Sequence, residues 1–115
     1  MKKLAIWIIS VSLLVPFAFA SAQDDKWYSG GTLHSSLISE WKNSTDRNKL
    51  ATSADFAMVV NEIKNKVKSS GDMNTLKIYA AQLKICIDEA SEDQNSNNLT
   101  VADIGTACIS LLGWR

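Results

Sequence analysis

Few side chains in this sequence carry chemical potential: two cysteines, one histidine and some adjacent carboxylates. Cys86 and Cys108 are the only cysteines. An oxidising compartment links such a pair, and closing the loop between them contributes about 3 kcal/mol in the chain-entropy picture. Two buried free thiols, or a reactive thiol, are the competing reading. Both cysteines fall on apolar helical faces with no histidine close in sequence, which favours a structural disulfide.

His34, followed by Ser35 and Ser36, raises the possibility of a hydroxyl nucleophile beside its base. That chemistry needs base and hydroxyl to face one another, with a third group orienting the base. Adjacent helical residues point in different directions, and no orienting group is identifiable. His34 therefore reads as a polar residue near a helix start. One histidine and two linked cysteines do not furnish the usual zinc ligand set, so neither a metal nor a cofactor is expected. Asp88-Glu89 and Glu92-Asp93 could do acid–base work only in an apolar pocket that raises a pKa. No such pocket is evident in the sequence, and they read as solvating a helix end. Gly30-Gly31 is not a phosphate loop, and the acceptor patterns Asn43-Ser44-Thr45 and Asn98-Leu99-Thr100 matter only in a eukaryote. The sequence thus predicts a protein that is not an enzyme.

The first residues have the order of an export signal. Lys2 and Lys3 precede an apolar run from Leu4 to Phe19, then small residues to Ala22 and polar Gln23-Asp24-Asp25. Ala20 and Ala22 suit cleavage before Gln23. The run falls short of the roughly 20 residues that span a bilayer, and Pro16 interrupts it. Residues 1–22 are expected to be a cleaved signal peptide, leaving a periplasmic or secreted mature form with no membrane span. Lys2 and Lys3 leave with that leader, and all 12 acidic residues stay, so the mature charge is 10 − 12 = −2. No basic field for nucleic acid results. Lys42, Arg47 and Lys49, like Lys64, Lys66 and Lys68, are interleaved with acids and read as solvated surface.

The elements that must position these residues are helical. Residues 23–32 form an extended N-terminal segment with Gly30-Gly31 as a flexible joint, and residues 33–115 form the helical domain. Thr32 is a candidate cap for a first helix bearing Leu33, Leu37, Ile38 and Trp41 on one face. Asn43 to Lys49 is a polar connection. A second helix starts near Thr52 or Ser53, with Phe56, Val59, Val60, Ile63 and Val67 as its stripe, and stops at Ser69-Ser70-Gly71. Asp72 caps the third and longest helix, on which Leu76, Ala80, Leu83, Ile87 and Ala90 form the stripe and Tyr79 and Cys86 flank it. Ile78 and Ile85 lie on a different face. Either this helix is covered on two sides or they meet a partner. Ser91 to Asn98 reads as a mobile polar loop without core residues. Thr100 to Asp103 is a variant capping box for a fourth helix with Val101, Ile104, Cys108, Leu111 and Leu112 buried. Gly105 within it implies a close backbone approach, and Gly113 a helix stop. The result is an all-α domain, a small bundle of about four helices with one disulfide. Trp27, Tyr28 and Trp114, at the two ends of the mature chain, either pack together or anchor a partner.

Three blocks resemble small exported bacterial proteins: Ser29-Gly-Gly-Thr-Leu-His34, Asn48-Lys-Leu-Ala-Thr-Ser-Ala-Asp-Phe56, and Cys108 to Gly113-Trp114. A looser resemblance is to acid-stress periplasmic chaperones of the HdeA/HdeB type, which are short, helical and stapled by one disulfide, with an Asp-Phe pair early in a helix, here Asp55-Phe56. In that family a cysteine precedes the pair; this chain has Ser53 there and offers Cys86 instead, so the chaperone mechanism does not transfer with the resemblance. The chain is similar in size, export and helicity to periplasmic immunity proteins that block cell-wall hydrolases. Export, the lack of catalytic groups and the surplus apolar positions Ile78, Ile85 and Trp114 lead to the expectation of a non-enzymatic protein that works by binding another protein in envelope stress, HdeA-like; the alternative is an immunity protein, and a small hydrolase comes third. Trp27, Tyr28, Ile78, Ile85 and Trp114 are the candidate partner-binding residues. The partner and the oligomeric state stay open.

Overall fold

The computed structural model describes residues 26–115. The expected leader (residues 1–22), its cut site and the first residues of the extended segment lie outside the described residues. Five helices follow: α1 (Ile38–Lys42), α2 (Asp46–Met58), α3 (Asn61–Ser70), α4 (Met73–Ser91) and α5 (Val101–Leu112), with a 3-10 turn at Gln94–Ser96. The domain is all-α, and four of the five helices are of substantial length.

Helix α4 is the axis on which the others assemble. Its Leu76 and Ala80 join Trp27, Ala54, Ala57, Val60, Ile63 and Val67 in one apolar cluster. One to three turns further on, Leu83 and Ile87 join Leu33, Ile38, Trp41, Val101 and Cys108 in a second cluster. Ile109 and Trp114 touch both clusters and make the core continuous. The period of the α4 stripe therefore fixes the arrangement of every other helix.

The expected first helix, beginning at Leu33, is instead a strap followed by the single-turn α1. Backbone donors of the strap are engaged elsewhere: Thr32 N–H donates to Asn48 Oδ1 (2.9 Å) and Leu33 N–H to Thr52 Oγ1 (3.2 Å). Leu37 forms an isolated antiparallel bridge with Thr100, flanked by Ile38 N–H to Leu99 O (2.9 Å) and Val101 N–H to Ser36 O (2.8 Å). Tertiary partners satisfy these groups, so no helix is needed to do so. Gly31 is no flexible joint either. A Cβ there would lie 2.6 Å from the Thr52 nitrogen, so the strap rests directly on the α2 backbone.

The connection from Asn43 is shorter than expected, because Thr45 accepts from Asn48 N–H and starts α2 at Asp46. The expected second helix is two helices. The chain breaks at Val59-Val60, where Val60 is extended (φ −86°, ψ 120°). Val59 is 76% exposed, which removes it from the expected stripe, while Val60 stays buried. The main chain of Arg115 supplies the new start of α3: its oxygen accepts from Glu62 N–H (3.1 Å), and its N–H donates to Glu62 Oε1 (2.9 Å). Gly71 (φ 64°) ends α3, and Asp72 caps α4 by accepting from Asn74 N–H.

Ser91 to Asn98 is more ordered than a bare polar loop. Ser91 is still helical, Ser96 is buried, and Asp93 accepts from Asn95 N–H. Asn97 is held by Lys42 Nζ (2.9 Å) and by Ser39 N–H (3.2 Å). Thr100 caps α5 by accepting from Asp103 N–H, and Gly113 (φ 76°) ends it. On α5, Leu111 is 81% exposed and Ile109 packs inward in its place. Gly105 faces the ring of Phe56, 3.4 Å from an added Cβ, rather than another backbone.

Candidate functional site

Cys86 on α4 and Cys108 on α5 form a disulfide, with a Cα–Cα distance of 5.9 Å. The α4–α5 hairpin is thereby stapled close to its middle, and the outward face of α4 is carried on a cross-linked support. Among the described residues, no helix is long and apolar enough to cross a membrane.

The five candidate partner-binding residues separate. Trp27 is buried in the first cluster, with its ring edge-on to Tyr28 at 5.6 Å. Trp114 folds back and packs edge-on against Tyr79, also at 5.6 Å, and Tyr28 and Trp114 are half-buried against the first cluster. The aromatics at the two chain ends thus belong to the same core. Ile78 and Ile85 do not: they are 60% and 56% exposed, two turns apart on the outer face of α4. Gln82 lies between them, and Glu89, one turn beyond Ile85, is also exposed.

His34 engages neither Ser35 nor Ser36. Its Nε2 lies 2.8 Å from Asp55 Oδ2, and its ring meets Phe56 edge-on at 5.4 Å. Together with the Thr32–Asn48 and Leu33–Thr52 bonds, this makes a clasp. The blocks Ser29 to His34 and Asn48 to Phe56, which stand out in the sequence, are the two halves of one internal contact. Asp88 does more than solvate a helix end: Oδ1 accepts the indole N–H of buried Trp41 (2.9 Å) and Oδ2 accepts from Lys84 Nζ (2.7 Å). No three His, Cys, Asp or Glu residues cluster as metal ligands among the described residues.

Sequence reasoning missed a groove between the Trp27 strap, α2 and α4. It has a volume of about 320 Å³ and is lined by Trp27, Asp46, Arg47, Leu50, Lys77 and Lys84. Lys84 is ion-paired with Asp88 and, at 3.6 Å, with Asp46. Burial pulls the Lys84 ammonium down, but the two carboxylates outweigh burial and hold it above the ordinary lysine range. The seven-residue spacing of Lys77 and Lys84 was visible in the sequence. Their meeting with Arg47 and Trp27 was not, because it depends on how the strap crosses α2.

This geometry defines a small, disulfide-stapled, all-α domain with an unpaired apolar pair on its central helix. No family model, curated protein or solved structure matches the chain.

Proposed function

We propose that this is an exported envelope protein that acts without catalysis, by binding another protein through the outer face of α4, in the response to envelope stress. The observation that carries this reading is the exposure of Ile78 and Ile85 in the body of a helix whose stripe residues Leu76, Ala80, Leu83 and Ile87 are buried. Large apolar side chains aligned on a rigid element supply the centre of a protein contact, and polar residues around them supply its rim. Exposed Glu89 at one end of the strip suits a partner that presents two apolar side chains followed by a lysine or arginine. The Cys86–Cys108 bond accords with an oxidising compartment and with the export leader expected from the sequence.

An immunity protein that inhibits a cell-wall hydrolase is the second reading. One observation favours it over an HdeA-like chaperone: the apolar pair is already exposed in the folded, cross-linked state, so no acid unfolding is required to present it.

The test is photo-crosslinking in cells. A photoreactive residue at position 85 should yield one specific adduct, absent when the group is placed at Lys64 on α3 and lost when Ile78→Lys is added. The same products from both positions, or none at neutral or acidic pH, would refute the reading. An adduct with a hydrolase selects the immunity reading, whereas adducts with many unfolded clients at low pH select the chaperone reading.

A further inference from the structure

A second surface, on another side of α4 from Ile78 and Ile85, has the makings of a ligand site. Its floor is apolar: the buried indole of Trp27 and the half-buried side chain of Leu50. Three cations surround that floor, and their states differ. Lys84 is neutralised by Asp88 and Asp46. Arg47 and Lys77 have no carboxylate within 4.0 Å among the described residues. Arg47 is nonetheless fixed in place, because its Nη1 donates to Ser29 O (3.4 Å) and Nη2 to Lys26 O (3.1 Å). Carbonyls hold the guanidinium without cancelling its charge, and its remaining N–H groups stay available. The Lys77 ammonium stands 5.7 Å from the centre of the Trp27 ring. Arg47 also belongs to the first turn of α2, where the helix end adds partial positive charge.

An anchored guanidinium and a neighbouring ammonium, neither paired with a carboxylate among the described residues, beside an apolar floor recognise one chemistry: an anion carried on a flat or apolar stem. A guanidinium fork matches the two oxygens of a carboxylate, and an aromatic or aliphatic stem can lie on the indole. The volume is at the small end of ligand pockets and admits one such group rather than a large cofactor.

We propose that the Trp27–Arg47–Lys77 groove binds a carboxylate borne on an aromatic or apolar stem. The carboxylate meets Arg47 and Lys77, and the stem covers Trp27 and Leu50. The source is either a small organic acid or an acidic side chain next to an apolar residue in a peptide. This site is independent of the α4 apolar strip, so failure of either leaves the other standing.

The test uses the mature protein, labelled with ¹⁵N, and two probes: phenylacetate and a terminally blocked Asp-Phe dipeptide. Each is titrated to millimolar concentration while the Trp27 indole N–H and the backbone amides of Arg47 and Lys77 are followed by NMR. The expected result is saturable shifts at these positions, at least tenfold weaker binding for Lys77→Gln, and no saturation by the neutral analogues phenylacetamide and Asn-Phe. Tighter binding of the dipeptide identifies a peptide source, and tighter binding of phenylacetate a small acid. Because Arg47 also secures the strap, Arg47→Gln is read only alongside an unchanged Trp27 spectrum without ligand, and Lys77→Gln serves as the folded control. Absence of saturable shifts, or equal binding by the neutral analogues or by Lys77→Gln, overturns the proposal.

Discussion

Two glycine-to-alanine substitutions should move stability in opposite directions, and the reason lies in what each added methyl would touch. At Gly31 the new Cβ would stand 2.6 Å from the Thr52 nitrogen, 2.8 Å from its Cα and 2.9 Å from the Ala51 carbonyl carbon. These are backbone atoms in the middle of α2 and cannot swing aside, so the strap must lift. Lifting it strains or breaks the Thr32–Asn48 and Leu33–Thr52 bonds and draws Leu33 from the second cluster. Overpacking of this kind costs about 1–3 kcal/mol, which for a domain of this size lowers Tm by about 4–8 °C per kcal/mol. At Gly105 the added Cβ would meet only side chains, the Phe56 ring at 3.4 Å and Ile87 Cδ1 at 3.9 Å, which are ordinary contacts. There alanine gains helix propensity worth up to about 1 kcal/mol, so Gly105→Ala should be neutral to stabilising. Urea denaturation followed by circular dichroism measures both, and amide exchange at Thr32 and Leu33 reports the strap directly. If Gly31→Ala unfolds at the same midpoint as the parent with those amides still protected, the close approach of strap and helix is wrong.

Other expectations follow from single contacts. Reducing the Cys86–Cys108 bond, or replacing both cysteines by alanine, should lower unfolding free energy by about 3 kcal/mol, read as a shifted urea midpoint with helical content retained at zero denaturant. Asp88→Ala leaves the buried Trp41 indole N–H without its acceptor and should cost about 1–3 kcal/mol, measurable in the same assay. Arg115 main-chain hydrogen bonding, then Lys66, holds Glu62 below its ordinary carboxylate value of 4.5. A depressed folded-state pKa means stabilisation is fully present above the unfolded value and is lost as pH falls through the folded one. An acid series of urea midpoints should therefore fall less steeply below 4.5 for Glu62→Gln than for the parent; parallel curves would remove that role. Finally, Ile78→Lys with Ile85→Lys should change stability by no more than about 0.5 kcal/mol, because both side chains are exposed.

The sequence by itself determined the helical class, the cysteine pairing and the caps of the later helices. Those features are local or periodic: a stripe such as Leu76–Ala80–Leu83–Ile87 has one low-energy way to hide, and Asp72, Thr100 and Gly113 act on donors or backbone angles a few residues away. The same stripe showed that Ile78 and Ile85 point elsewhere, and only the folded chain decided that, among the described residues, no other helix covers them. Tertiary contacts also decided the ends of the early helices. Thr32 and Leu33 read as a helix start until Asn48 and Thr52 take their N–H groups, and the run through Val59 and Val60 reads as one helix until Arg115 arrives to start a new one. The groove of Trp27, Arg47 and Lys77 and the clasp of His34 on Asp55 belong to the same class. Each joins residues from separate segments, and sequence spacing carries no signal for partners that only the packed strap brings within reach.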